Sequence, residues 1–160
     1  MLEFLDILFK AFWVGCAAVG FGILFNLPGK YLSTVWIGGA IVGFIKFGVL
    51  FYVSDSVILA TFLAAIALGI YSAIIANKRH RPSMIFAIPP IISLVPGVLS
   101  YRTMYGLIKL TSKANADFSR VMAETVRNGI LTLLIIVAFT IGVIIPAEIG
   151  RTIFKKTKPR

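Results

Sequence analysis

Residues 84–106 read Met84-Ile85-Phe86-Ala87-Ile88-Pro89-Pro90-Ile91-Ile92-Ser93-Leu94-Val95-Pro96-Gly97-Val98-Leu99-Ser100-Tyr101-Arg102-Thr103-Met104-Tyr105-Gly106. The first part is apolar enough to lie in a membrane. Proline has no backbone N–H and clashes with the carbonyl four residues back, so no uninterrupted helix is expected through Pro89, Pro90 and Pro96. Lipid tolerates freed backbone groups only where protein or a water-lined cavity surrounds them. A broken apolar segment is therefore the place to look for a solute path.

The composition around this stretch sets the class. Of 160 residues, 59% are hydrophobic and 14% charged, against about 45–50% and about 25% in soluble domains. The expected fold is an all-α integral membrane protein in a single transmembrane domain, residues 1–160. The net charge of +10 comes in short clusters between apolar runs, the pattern of loops facing anionic lipid. It forms no basic face with interleaved aromatics, which argues against a nucleic-acid partner. A single cysteine, Cys16, excludes an internal disulfide. Glu3 and Asp6, together with the apolar run that continues past Cys16, argue against a lipoprotein signal.

Five spans are expected, at about 7–25, 31–52, 57–76, 84–106 and 129–146. The first is rich in Gly and Ala and carries Lys10 near its start, within snorkelling reach of the interface. It ends at Asn26-Leu27-Pro28-Gly29, strong turn chemistry. Asn26 reads either as a helix cap or as a polar contact in a path. The second span holds Gly39-x-x-x-Gly43, a seam for close helix approach, and Lys46. A mid-span lysine costs about 2.5–3.5 kcal/mol. It lies about 9 Å from the span's end, so it either snorkels or faces inward toward an anionic group. Asp55-Ser56 announces the third helix, whose Ala60/Ala64 and Ala65/Gly69/Ala73 rows are small-residue seams. Asn77-Lys78-Arg79-His80-Arg81-Pro82 follows as a cytoplasmic loop; His80 there is a solvated loop residue.

Residues 102–128 mix Arg102, Lys109, Lys113, Arg120 and Arg127 with apolar residues. They read as one or two amphipathic helices, broken near Ala114–Asp117, lying in the interface or covering a partner. The last span carries Ala138 and Gly142 and ends at Pro146; a basic tail occupies 150–160. With five crossings the positive charges divide nine inside to five outside. A re-entrant broken segment also divides them nine to five, so charge counting does not choose. Five crossings are favoured because 84 to about 110 is long enough to cross. That places the N-terminus outside and the C-terminus in the cytoplasm.

The six acids are Glu3, Asp6, Asp55, Asp117, Glu124 and Glu148, none of them mid-span. There is no metal-ligand cluster, phosphate loop or catalytic pair, so neither an enzyme nor a cofactor is expected. A proton-coupled transporter usually carries a membrane acid. Either coupling uses Glu148 or Asp55 near a boundary, or the acid belongs to another chain, which gives this one the look of half a transporter.

Two stretches resemble the threonine/serine exporter family. Ala18-Val19-Gly20-Phe21-Gly22-Ile23-Leu24-Phe25-Asn26-Leu27-Pro28 is similar to its opening pattern. Pro89-Pro90 with Leu94-Val95-Pro96-Gly97-Val98-Leu99-Ser100-Tyr101-Arg102 is similar to its Pro-Gly-x-x-x-Tyr-Arg signature. The resemblance covers essentially the whole chain and implies the small, membrane-only subunit. That subunit is equivalent to the C-terminal half of the single-chain exporters and works with a larger multi-spanning subunit in the bacterial inner membrane. It implies export of amino acids such as threonine and serine; some split pairs are associated with dicarboxylates of the succinate type. A non-transporting protein that stabilises a partner is the competing class, and self-association into a homo-oligomer stays open. The resemblance points to Asn26, Pro28, Pro96, Gly97, Tyr101 and Arg102. The residues themselves add Lys46, Pro89, Pro90, Ser93 and Ser100 as groups for a solute path.

Overall fold

The computed structural model describes residues 2–111 and 117–156. Every regular element among them is helical. They are α1 (Leu2–Leu24), a 3₁₀ turn (Gly29–Tyr31), α2 (Leu32–Tyr52), α3 (Val57–Arg79), α4 (Met84–Ile91) with a 3₁₀ turn (Ile92–Leu94), α5 (Gly97–Thr111) and α6 (Phe118–Lys156). Four helices are long and apolar enough to cross a membrane. The bent pair Met84–Leu94 and Gly97–Thr111 makes a fifth when counted together. The chain is an all-α membrane protein.

The expected interruption between Pro89 and Gly97 is present, and two details of the expectations change. The helix runs on through Pro89 and Pro90 to Ile91, and the interruption falls instead at Val95–Pro96. Packing explains the first. Phe86, Ala87, Pro89 and Pro90 are all buried, and a methyl on Gly38 of α2 would lie 3.2 Å from Pro90 Cγ. The second concerns the end of the chain. The amphipathic stretch from Phe118 and the last span are one helix of 39 residues, and it continues past Pro146. The break expected near Ala114–Asp117 falls largely outside the described residues; Asp117 itself accepts the Val121 N–H at 3.1 Å.

The contacts divide the chain into two compact units, Met1–Leu94 with Ala138–Arg160, and Val95–Val137. In the larger unit α1 and α2 are antiparallel and almost touch. Methyls added to Gly39 would lie 2.7 Å from Ala18 Cβ and 2.9 Å from Gly15 Cα; on Gly43, 2.8 Å from Ala11 Cα. The Gly39-x-x-x-Gly43 seam is thus occupied by α1, with Trp36 over Gly15. Helix association in lipid rests on this kind of packing rather than on exclusion of water. Phe9, Ile23, Leu63 and Ile70 accordingly remain exposed.

Helix α3 begins where expected, with Ser56 as N-cap accepting the Leu59 N–H at 3.4 Å. It returns antiparallel to α2, and Tyr71 Oη donates to the Thr34 carbonyl at 2.8 Å. The core joins Val42, Ala64, Ala65, Leu68, Ala87, Leu94 and Val143, so α2, α3, α4 and the end of α6 all contribute. Gly142 packs on Ala65 and the Phe62 carbonyl, while Gly69 packs on Val143 and Pro146. Rising numbers on α6 meet rising numbers on α3, so the two run parallel here. The end of α6 therefore emerges on the side where α3 delivers Lys78 and Arg79. The same contact accounts for the helix surviving Pro146. Proline leaves the Gly142 carbonyl without its N–H, and that oxygen faces Gly69, 3.2 Å from where a side chain would begin.

In the smaller unit α5 and the first part of α6 form an antiparallel hairpin. Gly106 fits against Thr125, and a methyl on Gly129 would lie 3.3 Å from Thr103 Cγ2. Arg120 and Glu124 pair on the exposed side at 3.1 Å.

Candidate functional site

The eleven residues expected to matter fall in both units, six in the larger and five in the smaller. Asn26 closes α1. Its φ of 56° is left-handed; its N–H donates to the Ile23 carbonyl and the Leu27 N–H to the Gly22 carbonyl, each at 2.9 Å. This is the paired-bond ending that satisfies a helix's last carbonyls, and Asn is the residue other than Gly that enters it most readily. Pro28 then sets up the 3₁₀ turn. Tyr31 at the end of that turn is buried and meets the Phe86 ring edge-on at 5.5 Å. That contact joins the Asn26–Pro28 turn to α4 and its buried prolines. Sequence reasoning missed Tyr31, Gly38 and Tyr71 in this junction. A signal was there for Tyr71, an aromatic more than one turn inside an apolar span, where a hydroxyl needs a partner.

Lys46 lies four residues beyond Val42, on the stripe of α2 that buries Val35, Gly39 and Val42. It is half-buried, and no described residue gives it an ion pair.

Ser93 sits in the 3₁₀ turn after α4. With Asp6, Lys10, Trp13 and Phe47 it lines a groove of about 530 Å³. Asp6 and Lys10 are paired across one turn of α1 at 2.6 Å, and Lys10 Nζ stands 5.5 Å from the centre of the Phe47 ring. The Ser93 Oγ is buried without a hydrogen-bond partner.

In the smaller unit Pro96 caps α5. Its carbonyl accepts both the Ser100 N–H and the Ser100 Oγ–H at 3.0 Å. The Ser100 proton is therefore committed, and its oxygen is left as an acceptor. Gly97 opens the helix with nothing within 4 Å of a would-be methyl. Its φ is not positive, so neither backbone nor packing inside the chain demands a glycine there. Tyr101 is 69% exposed and stacks on Tyr105 with 6.1 Å between ring centres. Lys109 Nζ lies 4.7 Å from the Tyr105 ring centre. Arg102 is exposed. Being consecutive on a helix, Tyr101 and Arg102 point about 100° apart, so they do not present one face together.

A family model described as "Threonine/Serine exporter, ThrE" matches residues 10–149. A Haemophilus influenzae protein, described as uncharacterized, is 24% identical over 155 residues; the match covers 97% of this chain and 50% of that protein. The chain thus spans about half the length of the curated relative it matches. No solved structure matches the chain.

Proposed function

The chain belongs to the threonine/serine exporter family, and we propose from that membership that it is one subunit of a secondary transporter exporting small amino acids such as threonine and serine. The observation that carries the reading is the interrupted pair Met84–Leu94 and Gly97–Thr111. The interruption starts α5 afresh at Gly97, and the first N–H groups of a helix have no intrahelical carbonyl. Helix starts of this kind hold the carboxylate of a solute in broken-helix transporters. Arg102, one turn into α5, adds a bidentate partner for a carboxylate.

A larger membrane subunit is the partner in this reading. In the five spans expected from the sequence no acid stands in the middle, which in this reading leaves a proton-carrying group to the companion. The parallel course of α3 and the end of α6 supports five crossings, with the basic Lys78–Arg81 loop and the C-terminal tail together in the cytoplasm. Export of small dicarboxylates is the second reading, since a carboxylate is common to both solute classes.

The test is efflux of preloaded threonine and of preloaded succinate from cells expressing the chain with and without its larger companion. Export of either solute only when both are present supports the proposal, and the solute identifies the class. No efflux with any companion leaves a membrane protein that stabilises its partner and ends the transport reading. Arg102→Ala is expected to lower efflux at least severalfold with membrane insertion unchanged.

A further inference from the structure

Hydroxyls inside these helices donate back to their own backbone. Ser100 bonds Pro96, Thr103 bonds Leu99, Thr125 bonds Val121 and Thr132 bonds Asn128. This quiets a hydroxyl in an apolar setting. Thr61 and Ser93 depart from the pattern. The Oγ1 of Thr61 and the Oγ of Ser93 are both buried and neither has a hydrogen-bond partner.

Their positions relate to one another through the core. Val42, Ala64 and Leu94 are members of the same buried cluster. Lys46 is one turn beyond Val42 on α2. Thr61 is one turn before Ala64 on α3, which runs the other way, so both steps lead toward the 53–56 link. Ser93 directly precedes Leu94, where the 3₁₀ turn after α4 ends. Tyr31 meets Phe86 and Gly38 meets Pro90, so α4 runs parallel to α2 and its 3₁₀ turn leads to the same end of the cluster. Phe47, the residue after Lys46, lines the groove that Ser93 lines. Helical side chains lean toward their own N-terminus, which tilts the Lys46 ammonium back toward the Val42 level.

This layer holds one cation and two uncommitted O–H donors, and among the described residues no acid is paired with the cation. We infer that Lys46, Thr61 and Ser93 form a carboxylate-binding layer, with Lys46 supplying the charge and the two hydroxyls one hydrogen bond each. A carboxylate offers about four acceptor sites on two oxygens and leaves no donor of its own to place, so it matches a set made only of donors. The inference rests on the exporter reading for its solute and narrows it: the layer recognises the carboxylate and is indifferent to what the rest of the solute carries.

Thermal unfolding of the purified full chain in detergent provides the test, with propionate, threonine and succinate as acids and propionamide as the neutral match for propionate. The acids are expected to raise the melting temperature in a concentration-dependent way and propionamide to leave it unchanged. Lys46→Met is expected to remove the response. Ser93→Ala and the isosteric Thr61→Val are expected to weaken the apparent affinity about tenfold each, the usual loss for a hydrogen bond to a charged group. A wild-type chain that responds to no acid, a Lys46→Met chain that responds as strongly as wild type, or propionamide matching propionate overturns the inference. Efflux measured in parallel keeps the two readings apart. An acid-dependent shift without efflux removes the exporter and leaves the layer; efflux unaffected by Lys46→Met removes the layer and leaves the exporter.

Discussion

Asn26, two residues before Pro28, and Gly97, directly after Pro96, both stand in the stretches that mark the family, yet their surroundings assign them different work. Asn26 holds a left-handed φ of 56°. Asn26→Gly is expected to keep both stability and export. Asn26→Val is expected to cost about 1–2 kcal/mol, because a side chain with a branched Cβ is strained there; thermal unfolding reads the difference. Loss of export in Asn26→Gly with stability intact would give the side chain a place in the path after all. Gly97 has open space around it, so Gly97→Ala is expected to shift stability by no more than about 0.5 kcal/mol. Any fall in its export then reports on the solute or a partner. Gly39 is the opposite case, with a methyl forced to within 2.7 Å of Ala18 Cβ. Gly39→Val is expected to destabilise the fold by about 1–3 kcal/mol through overpacking, seen as a lower melting temperature.

The prolines teach a similar lesson about helices. Pro89, Pro90 and Pro146 stand inside helices that run on through them, whereas the chain is interrupted at Pro96. A proline frees the carbonyl four residues back, and the outcome depends on what meets that carbonyl and the ring. At Pro90 the ring finds Gly38, and at Pro146 the freed oxygen finds Gly69. At Pro96 the chain breaks and α5 starts afresh. Pro96→Ala restores an N–H able to bond the Ile92 carbonyl. It is expected to lower export strongly while insertion stays normal; unchanged efflux would take the break out of the path. The spacing of residues in α1, α2 and α3 was legible in advance, because apolar runs bounded by Asn-x-Pro-Gly, Asp-Ser and a basic cluster leave little choice. The union of the amphipathic stretch with the last span was not legible, since its two halves carry different polarity and nothing local forbids or requires a join.

For the chain as a whole, the sequence leaves the number of crossings balanced, nine positive charges to five either way. The register of Gly142 on Ala65 and of Gly69 on Pro146 sets the end of α6 parallel to α3, and the proposal of five crossings rests on it. In a Cys16→Ser background, single cysteines at Lys78 and Thr152 are expected to react with an impermeant reagent from the same side of the membrane, and one at Glu3 from the other. Labelling of Lys78 and Thr152 positions from opposite sides would exclude the five-crossing order.

Composition and run length made this an all-helical membrane protein, because 59% hydrophobic residues in continuous runs of about 20 suit a spanning helix and not the alternating strands of a barrel. Local chemistry then placed the turns, the seams and the interrupted segment, since Pro, Gly and Asn act on their own few residues. Tertiary structure decided which seam meets which helix, which proline interrupts, that α3 and the end of α6 run parallel, and that Lys46, Thr61 and Ser93 border one end of a single core. Those are relations between residues far apart in the chain. They depend on shape meeting shape across the bundle, which no short window of sequence contains.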